Sequence, residues 1–303
     1  MYDGIINVYK EKGFTSHDVV AKLRGILHQK KIGHTGTLDP DAIGVLPVCL
    51  GNATKLCDLI ADKTKTYEAV IKLGLVTDTQ DITGSVIEDN TGSDIPDKTC
   101  IMQVINSFVG EYDQIPPMYS ALKVNGKKLY ELARAGIEVE RKPRKITINF
   151  IDIVNIENDE IKIVVDCSKG TYIRTLCHDI GQKLGIGACM KSLVRTRVSG
   201  FSINESLTLD QIADICDQKK LSEHIVAVDK KFESLPKVRT TEYADKLLLN
   251  GNKLLQTDFQ MENDESFTTH DQIRVYESHG IFKGVYKFDK DNNIFVPVKM
   301  FLG

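Results

Sequence analysis

One carboxylate of this chain stands where a reactive group is usually placed: Asp39, in the run Gly33-His34-Thr35-Gly36-Thr37-Leu38-Asp39-Pro40-Asp41. Glycines and a proline bound the loop, so its backbone can approach a ligand closely, and His34 and the basic pair Lys30 and Lys31 lie just upstream. Such a carboxylate suits nucleophilic attack, general acid catalysis or metal ligation, and the residues alone do not choose among these. An Asp-Pro pair by itself more often only starts a turn. Three further stretches set this one apart. Lys65-Thr66-Tyr67-Glu68-Ala69-Val70-Ile71 carries a tyrosine, Gly170-Thr171-Tyr172-Ile173-Arg174-Thr175-Leu176 a tyrosine and an arginine, and Leu193-Val194-Arg195-Thr196-Arg197-Val198-Ser199-Gly200 mixes apolar with basic residues.

Hydrophobic spacing supplies the elements that must hold these side chains. Residues 4–8 read as a short strand, and Thr15 or Ser16 then caps a helix on which Val19, Leu23, Ile26 and Leu27 recur at helical spacing; the Asp39 loop follows it. Over 66–73, Tyr67, Ala69, Ile71 and Leu73 alternate with Thr66, Glu68, Val70 and Lys72, a strand pattern that points Tyr67 inward. Ile101, Val104, Ile105 and Phe108 predict a helix ending near Gly110. Ile146, Ile148 and Phe150 predict one face of a strand, which Ile151 and Ile153 continue in the opposite phase across a bulge, with another strand over 161–167. Ile173, Leu176, Cys177, Ile180 and Leu184 stripe a helix beginning at Gly170-Thr171-Tyr172, with Arg174 in its first turn. After a helix over 208–217, Leu235-Pro236-Lys237 marks a boundary. Beyond it 273–276, 280–288 and 294–298 are short β runs separated by turns, as in a compact barrel.

The 303 residues, 42% hydrophobic, are ample for a sizeable core and suggest about two domains. No charged head with a long apolar run opens the chain and no stretch of about 18 apolar residues occurs, which predicts a cytoplasmic protein with no membrane association. Seven cysteines, odd in number and never spaced C-x-x-C, argue against a disulfide framework or a zinc ribbon. A net charge of −3 does not by itself suit a nucleic-acid partner, but its distribution does. Between 121 and 150, Lys123, Lys127, Lys128, Arg134, Arg141, Lys142, Arg144 and Lys145 stand against Glu131, Glu138 and Glu140, a local excess of five positive charges. Acidity gathers instead at 257–271, where Asp258, Glu262, Asp264, Glu265 and Asp271 occur without a lysine or arginine, as in a solvated loop.

In this order, and with Ile115-Pro116-Pro117-Met118-Tyr119-Ser120-Ala121-Leu122-Lys123 and Asn125-Gly126-Lys127-Lys128-Leu129-Tyr130 between them, the blocks closely resemble the bacterial tRNA pseudouridine synthase B family, which isomerises the uridine at position 55 of the tRNA T loop. The resemblance covers nearly all of residues 4 to 235. Breaking a C–N glycosidic bond and rejoining the ring through carbon needs a nucleophile that can attack and leave, with no cofactor, metal or redox step. The resemblance gives that role to Asp39 and pairs it with Arg174, whose guanidinium would keep the carboxylate ionised and aimed. A base in a folded RNA loop must be flipped out and held by stacking. The resemblance implies that Tyr67 stacks on the target base and assists proton transfer, that Tyr172 lines the pocket, that Leu193 closes its apolar wall, and that His34 pushes into the vacated T-loop position. It further implies an α+β fold, the pseudouridine-synthase fold with a mixed, mostly antiparallel central sheet. Residues 1–235 would form the catalytic domain and 236–303 a small β-rich, PUA-like RNA-binding domain. The partner expected is the T stem-loop of tRNA, with no guide RNA and no obligatory protein partner.

Other patterns fail. Gly33-His34-Thr35-Gly36 matches the G-x-x-G of KH domains without the helical surroundings of that domain, and Asp289-Lys290-Asp291-Asn292-Asn293 lacks the glycine and the twelfth ligand of a calcium loop. Cys177-His178-Asp179 are adjacent on a helix, diverge around its axis and cannot form a triad. One departure is visible: the family usually has Asp-Lys-Pro-x-Gly where this chain has Tyr9-Lys10-Glu11-Lys12-Gly13. The missing proline predicts a less rigid loop and puts the contribution of Lys10 in question. A tRNA-binding module without turnover is the main competing class, and the presence of Asp39, Tyr67 and Arg174 disfavours it.

Overall fold

The computed structural model describes residues 1–61, 63–260 and 271–302. Strand β1 (Gly4–Lys10) runs into helix α1 (Ser16–Leu27). Thr15 caps this helix reciprocally: its hydroxyl accepts from Asp18 N–H at 3.1 Å and its own N–H donates to the Asp18 carboxylate at 2.8 Å. Strands β2 (Ile32–His34) and β3 (Ile43–Leu50) bracket the Asp39 loop, and a short helix α2 (Cys57–Ala61) leads to β4 (Lys65–Leu73), which carries Tyr67. A hairpin of β5 (Leu75–Thr77) and β6 (Val86–Asp89) precedes α3 (Lys98–Asn106) and β7 (Gly110–Gln114). A second hairpin, β8 (Lys123–Val124) and β9 (Lys127–Lys128), turns on Asn125-Gly126, both with positive φ, and leads into α4 (Leu129–Arg134). The long β10 (Arg144–Glu157) and β11 (Glu160–Cys167) then deliver α5 (Ile173–Leu184), which begins with Arg174 in its first turn. Strand β12 (Ala188–Val198), β13 (Phe201–Ser202), α6 (Leu209–Asp217) and β14 (Ile225–Val226) complete this part.

The central sheet has the order β14-β1-β3-β12-β4-β11-β10-β7, with β2 added on β3 and β13 on β12. Its pairings are antiparallel except β12 on β3, so it is mixed and mostly antiparallel. The parallel contact sets Arg195 against Gly44, and there only glycine fits: φ is +106° and a Cβ would lie 2.3 Å from the Arg195 carbonyl oxygen. One face of β4, β11 and β10 packs on α3 and α5 through Ala69, Ile71, Ile163, Ile105, Leu176 and Ile180. A second cluster joins α1 and α6 to β1 and β3 through Leu23, Ile212, Val8 and Leu46. Among the described residues no helix is long and apolar enough to cross a membrane.

In β10 the phase changes earlier than the alternation predicts. The register slips between Ile148 and Phe150, so Ile148 and Ile151 are buried while Phe150 is turned outward. The slip directs Asn149 onto the buried Asp166 at 2.6 Å, a carboxylate that also accepts from Thr66 at 2.7 Å and Arg197 at 2.8 Å.

Beyond Pro236, β15 (Lys237–Arg239), α7 (Glu242–Leu249), β16 (Gln272–Tyr276), β17 (Phe282–Asp289) and β18 (Ile294–Met300) form a separate sheet in the order β15-β16-β17-β18. β15 lies parallel to β16, Leu254 bridges to Phe295 on the β18 edge and Phe259 to Thr240 beyond the β15 edge, so residues 254–260 link the two edges of the sheet, and Leu248 of α7 completes a core with Val238, Ile273, Tyr286 and Phe295. Of the acidic stretch, residues 261–270 lie outside the described residues. This unit docks on the first one. Phe301 is buried in one cluster with Ile5, Val45, Cys49 and Phe201, flanked by Phe232 and Phe282, and Tyr276 donates to Asp229 at 2.8 Å.

Helix α5 also holds a pH-sensitive contact. Burial pushes the Asp179 carboxyl up to about 6, and the Tyr112 hydroxyl donates to it. A carboxyl raised in the folded state binds more protons there than in the unfolded chain, so its contribution is full at low pH and is lost as pH rises through about 6. Asp179→Asn keeps an acceptor for Tyr112 without the charge. It should raise stability by about 1–2 kcal/mol at pH 8 and by markedly less at pH 4.5, which lies near the ordinary carboxyl range. Urea unfolding at the two pH values checks this, and an equal effect at both contradicts it.

Candidate active site

The Asp39 loop is tied at several points to rigid neighbours. Thr35 donates to the Pro47 carbonyl of β3 through both its N–H, at 3.2 Å, and its hydroxyl, at 3.0 Å. Leu38 N–H donates to the buried Ser16 hydroxyl at 3.0 Å, which anchors the loop to the first turn of α1. The Pro40 carbonyl accepts from Gly13 N–H at 2.9 Å and from Lys10 Nζ at 3.0 Å. Lys10 is fully buried, and burial pushes its ammonium down to about 8 against the pull of Asp39 and Asp41. The ties to Pro40 therefore run through Lys10, at the end of β1, and Gly13, while the backbone carbonyl of Glu11, where the family has proline, accepts from the same Lys10 Nζ at 3.1 Å.

Arg174 closes on this loop from α5. Its Nε lies 2.9 Å from Asp39 Oδ2 and its Nη2 donates to Oδ1 at 3.3 Å, a two-point fork. The guanidinium side chain is only 6% exposed whereas that of Asp39 is 42% exposed, so the fork is buried on the arginine side and open on the carboxylate side. The remaining donors fix two more segments: Nη1 donates to the Thr79 carbonyl at 3.0 Å and Nη2 to the Tyr119 carbonyl at 2.9 Å. Arg174 is thus no surface residue, the alternative its place on a helix would allow. Asp81, 3.8 Å from Arg174 Nε, is a second carboxylate at the site. It accepts from Thr79 at 2.9 Å and Thr83 at 2.6 Å, and the preceding Gln80 has φ +65° and accepts from Thr175 of α5 at 2.7 Å.

Tyr67 and Leu193 come from paired strands, β4 and β12, and share one apolar cluster with Leu38 and Ala42 of the loop. Burial pushes the Tyr67 phenol up, and the charges of Arg195 and Asp39 both act on it. Tyr172 is held by its backbone: its N–H donates to the buried Gln114 side chain at 2.8 Å and its carbonyl accepts from the same side chain at 3.0 Å. Its phenol is likewise pushed up by burial and senses Arg174 and Asp39. Five of the six residues singled out in the sequence, Asp39, Arg174, Tyr67, Tyr172 and Leu193, therefore converge on one place. His34 stands at the start of the loop: Nδ1 accepts from Gly36 N–H at 3.3 Å, which leaves the proton on Nε2, and its ring lies edge-on to His17 with centroids 5.1 Å apart. Burial and the neighbouring His17 hold its pKa below the usual range, so the ring is neutral at physiological pH.

Sequence reasoning missed Asp81, Gln114 and Arg195. Arg195 stood within a quoted motif without a role; Asp81 and Gln114 sit in ordinary polar text and gain partners 93 and 58 residues away only on folding. The basic residues of 121–150 are exposed or half-exposed, as a phosphate track requires.

Residues 24–173 match the model of the TruB family pseudouridylate synthase N-terminal domain and residues 174–233 that of the tRNA pseudouridylate synthase B C-terminal domain. The second segment is woven into the first: β12 lies between β3 and β4, and Arg174 reaches back to Asp39. The chain is 54% identical to tRNA pseudouridine synthase B of Lachnoclostridium phytofermentans, over 99% of this chain and 100% of that protein. It is 48% identical to the Clostridium perfringens protein of the same name over 95% and 96%. Among solved structures it is similar to a chain of a Cbf5-Nop10-Gar1 complex, with a TM-score of 0.70 and 28% identity over 99% of this chain and 85% of that one. It is also similar to a chain of an H/ACA RNP bound to a substrate RNA containing 2'-deoxyuridine, with a TM-score of 0.70 and 25% identity. A carboxylate forked by a buried arginine, tyrosines within its field and a mixed sheet that brings them together agree with these matches: the chain belongs to the TruB family of pseudouridylate synthases, isomerases that turn uridine into pseudouridine.

Proposed function

We propose that this enzyme acts on the T stem-loop of tRNA, isomerising the uridine at position 55 with Asp39 as nucleophile. The observation that carries the reading is the Asp39–Arg174 fork, an accessible carboxylate held at 2.9 and 3.3 Å by a buried guanidinium. Arg174 aims one carboxylate oxygen at the incoming nucleotide, whether attack falls on the base or on the ribose. The glycosidic bond breaks, the detached ring turns, and a carbon–carbon bond replaces the carbon–nitrogen bond before Asp39 leaves. Tyr67 stacks on the flipped base and handles its proton, while Tyr172 and Leu193 line the pocket. Neutral His34 fills the position in the T loop that the base vacates. The substrate class is supported by the full-length relatives named tRNA pseudouridine synthase B. The enzyme is read as working in the cytoplasm on tRNA directly, without a guide RNA or an obligatory protein partner, in keeping with relatives named for tRNA itself. The unit beyond 236 grips the RNA outside the T loop.

Mapping pseudouridine in tRNA from cells lacking this protein tests the assignment: the modification at position 55 should vanish and return on complementation, and its persistence contradicts the reading. The role of Tyr67 is tested separately. Tyr67→Phe keeps the stacking face and should flip a fluorescent base analogue at the target position as wild type does, whereas Tyr67→Ala should lose about 1–3 kcal/mol of stacking and flip poorly. Equal flipping by both variants would make Tyr67 a core residue and no platform.

A further inference from the structure

Arg195 is fully buried, and among the described residues no carboxylate pairs with it. Its Nε donates to the Val45 carbonyl at 2.8 Å and Nη1 to the Thr37 carbonyl at 3.4 Å, directly beneath the Asp39 loop. Its Nη2 is buried without a partner. A cation taken out of water without an anion is costly, and an unmet donor adds to that cost. The strand register shows where the missing anion belongs. On β12 and β4, Arg195 is the direct cross-strand partner of Tyr67, which puts both side chains on one face of the sheet about 5 Å apart at their Cβ atoms. The acidic group that acts on Arg195 is the Tyr67 phenol.

We infer that Arg195 is a positioning residue of the reaction: its unmet Nη2 holds the Tyr67 oxygen toward the flipped base and stabilises the phenolate formed when Tyr67 releases its proton to water. The phenolate then takes the hydrogen on the ring carbon that has joined the ribose. The C–H electron pair restores the double bond of the ring, the former glycosidic nitrogen takes a proton from water, Tyr67 returns to neutral phenol, and the net change is one proton moved from ring carbon to ring nitrogen through solvent. Burial opposes the phenolate and Arg195 favours it, so the arginine offsets the penalty of placing Tyr67 in an apolar pocket. This inference rests on the proposed proton-handling role of Tyr67.

The test uses the full-length protein carrying tyrosine labelled with ¹³C at Cζ, with Tyr67→Phe to assign the signal. In Arg195→Met the ionisation midpoint of Tyr67 should rise by about one pH unit or more. The single-turnover rate on a T-loop RNA at pH 7.5 should fall about 10- to 100-fold, with RNA affinity changed less than about threefold. Arg195→Lys, which keeps the buried cation and serves if the methionine variant does not fold, should give a midpoint and a rate between the two. Midpoints unchanged in the folded variants, with Tyr67→Phe inactive, overturn the role of Arg195 alone. A Tyr67→Phe protein at full rate overturns the Tyr67 reading and the Arg195 role with it, even where the midpoint shifts.

Discussion

Asp39→Asn should bind a T-loop RNA within about threefold of wild type and form pseudouridine at least about 10⁴-fold more slowly. The amide is nearly isosteric, so the loop keeps its ties to Ser16, Lys10, Gly13 and Pro47. It offers Arg174 one acceptor where the carboxylate offered two, which costs one arm of the fork and leaves the bonds to Thr79 and Tyr119 in place. What it lacks is an anionic oxygen that can form a bond to carbon and later leave. Single-turnover conversion of an oligonucleotide, read alongside its equilibrium affinity, separates the two properties. Pseudouridine formed at a measurable rate by the pure variant would show that the nucleophile lies elsewhere.

Arg174→Met should be nearly as damaging to catalysis and more damaging to the fold. One guanidinium satisfies the Thr79 and Tyr119 carbonyls and forks Asp39, with Asp81 close by, so removing it frees two segments and leaves two carboxylates without the cation between them. Breaking a buried charged network costs about 3–5 kcal/mol, and the half-open position of Asp39 puts this case toward the lower figure. The rate should fall about 10³-fold as the nucleophile loses its aim. Arg174→Lys keeps the charge but cannot reach all the acceptors with one ammonium, and should recover part of the stability and little of the rate. Urea unfolding and single-turnover kinetics on the three proteins test both claims. A Met variant that folds and turns over normally would reduce the fork to a structural contact.

How much of this was legible beforehand can be followed residue by residue. The alternation at 66–73 placed Tyr67 inward because side chains alternate strictly on a strand, and the stripe from Ile173 to Leu184 put Arg174 in a first turn because helical period and the turn residues before it are local signals. The Thr15 cap is equally local. The bulge in β10 was foreseen, but not its position, since the pull of Asp166 on Asn149 comes from another strand. The C-terminal β runs were visible, whereas the way they join was decided by the parallel pairing of β15 with β16, by the bridges of residues 254–260 to both edges and by a core that no single run contains. At the site, the composition of the Asp39 loop raised the question of a reactive carboxylate and left nucleophile, acid and ligand open. Only the tertiary fold brings Arg174 across 135 residues onto Asp39, sets Asp81 beside it, buries Lys10 under Pro40 and aligns Arg195 with Tyr67. Sequence by itself determined the strands and helices that carry Tyr67 and Arg174 and most of the side chains on their apolar faces, because those preferences act between neighbours. Long-range charge pairing and strand register determined which polar groups meet, because a buried charge is stable only where the whole fold delivers its partners.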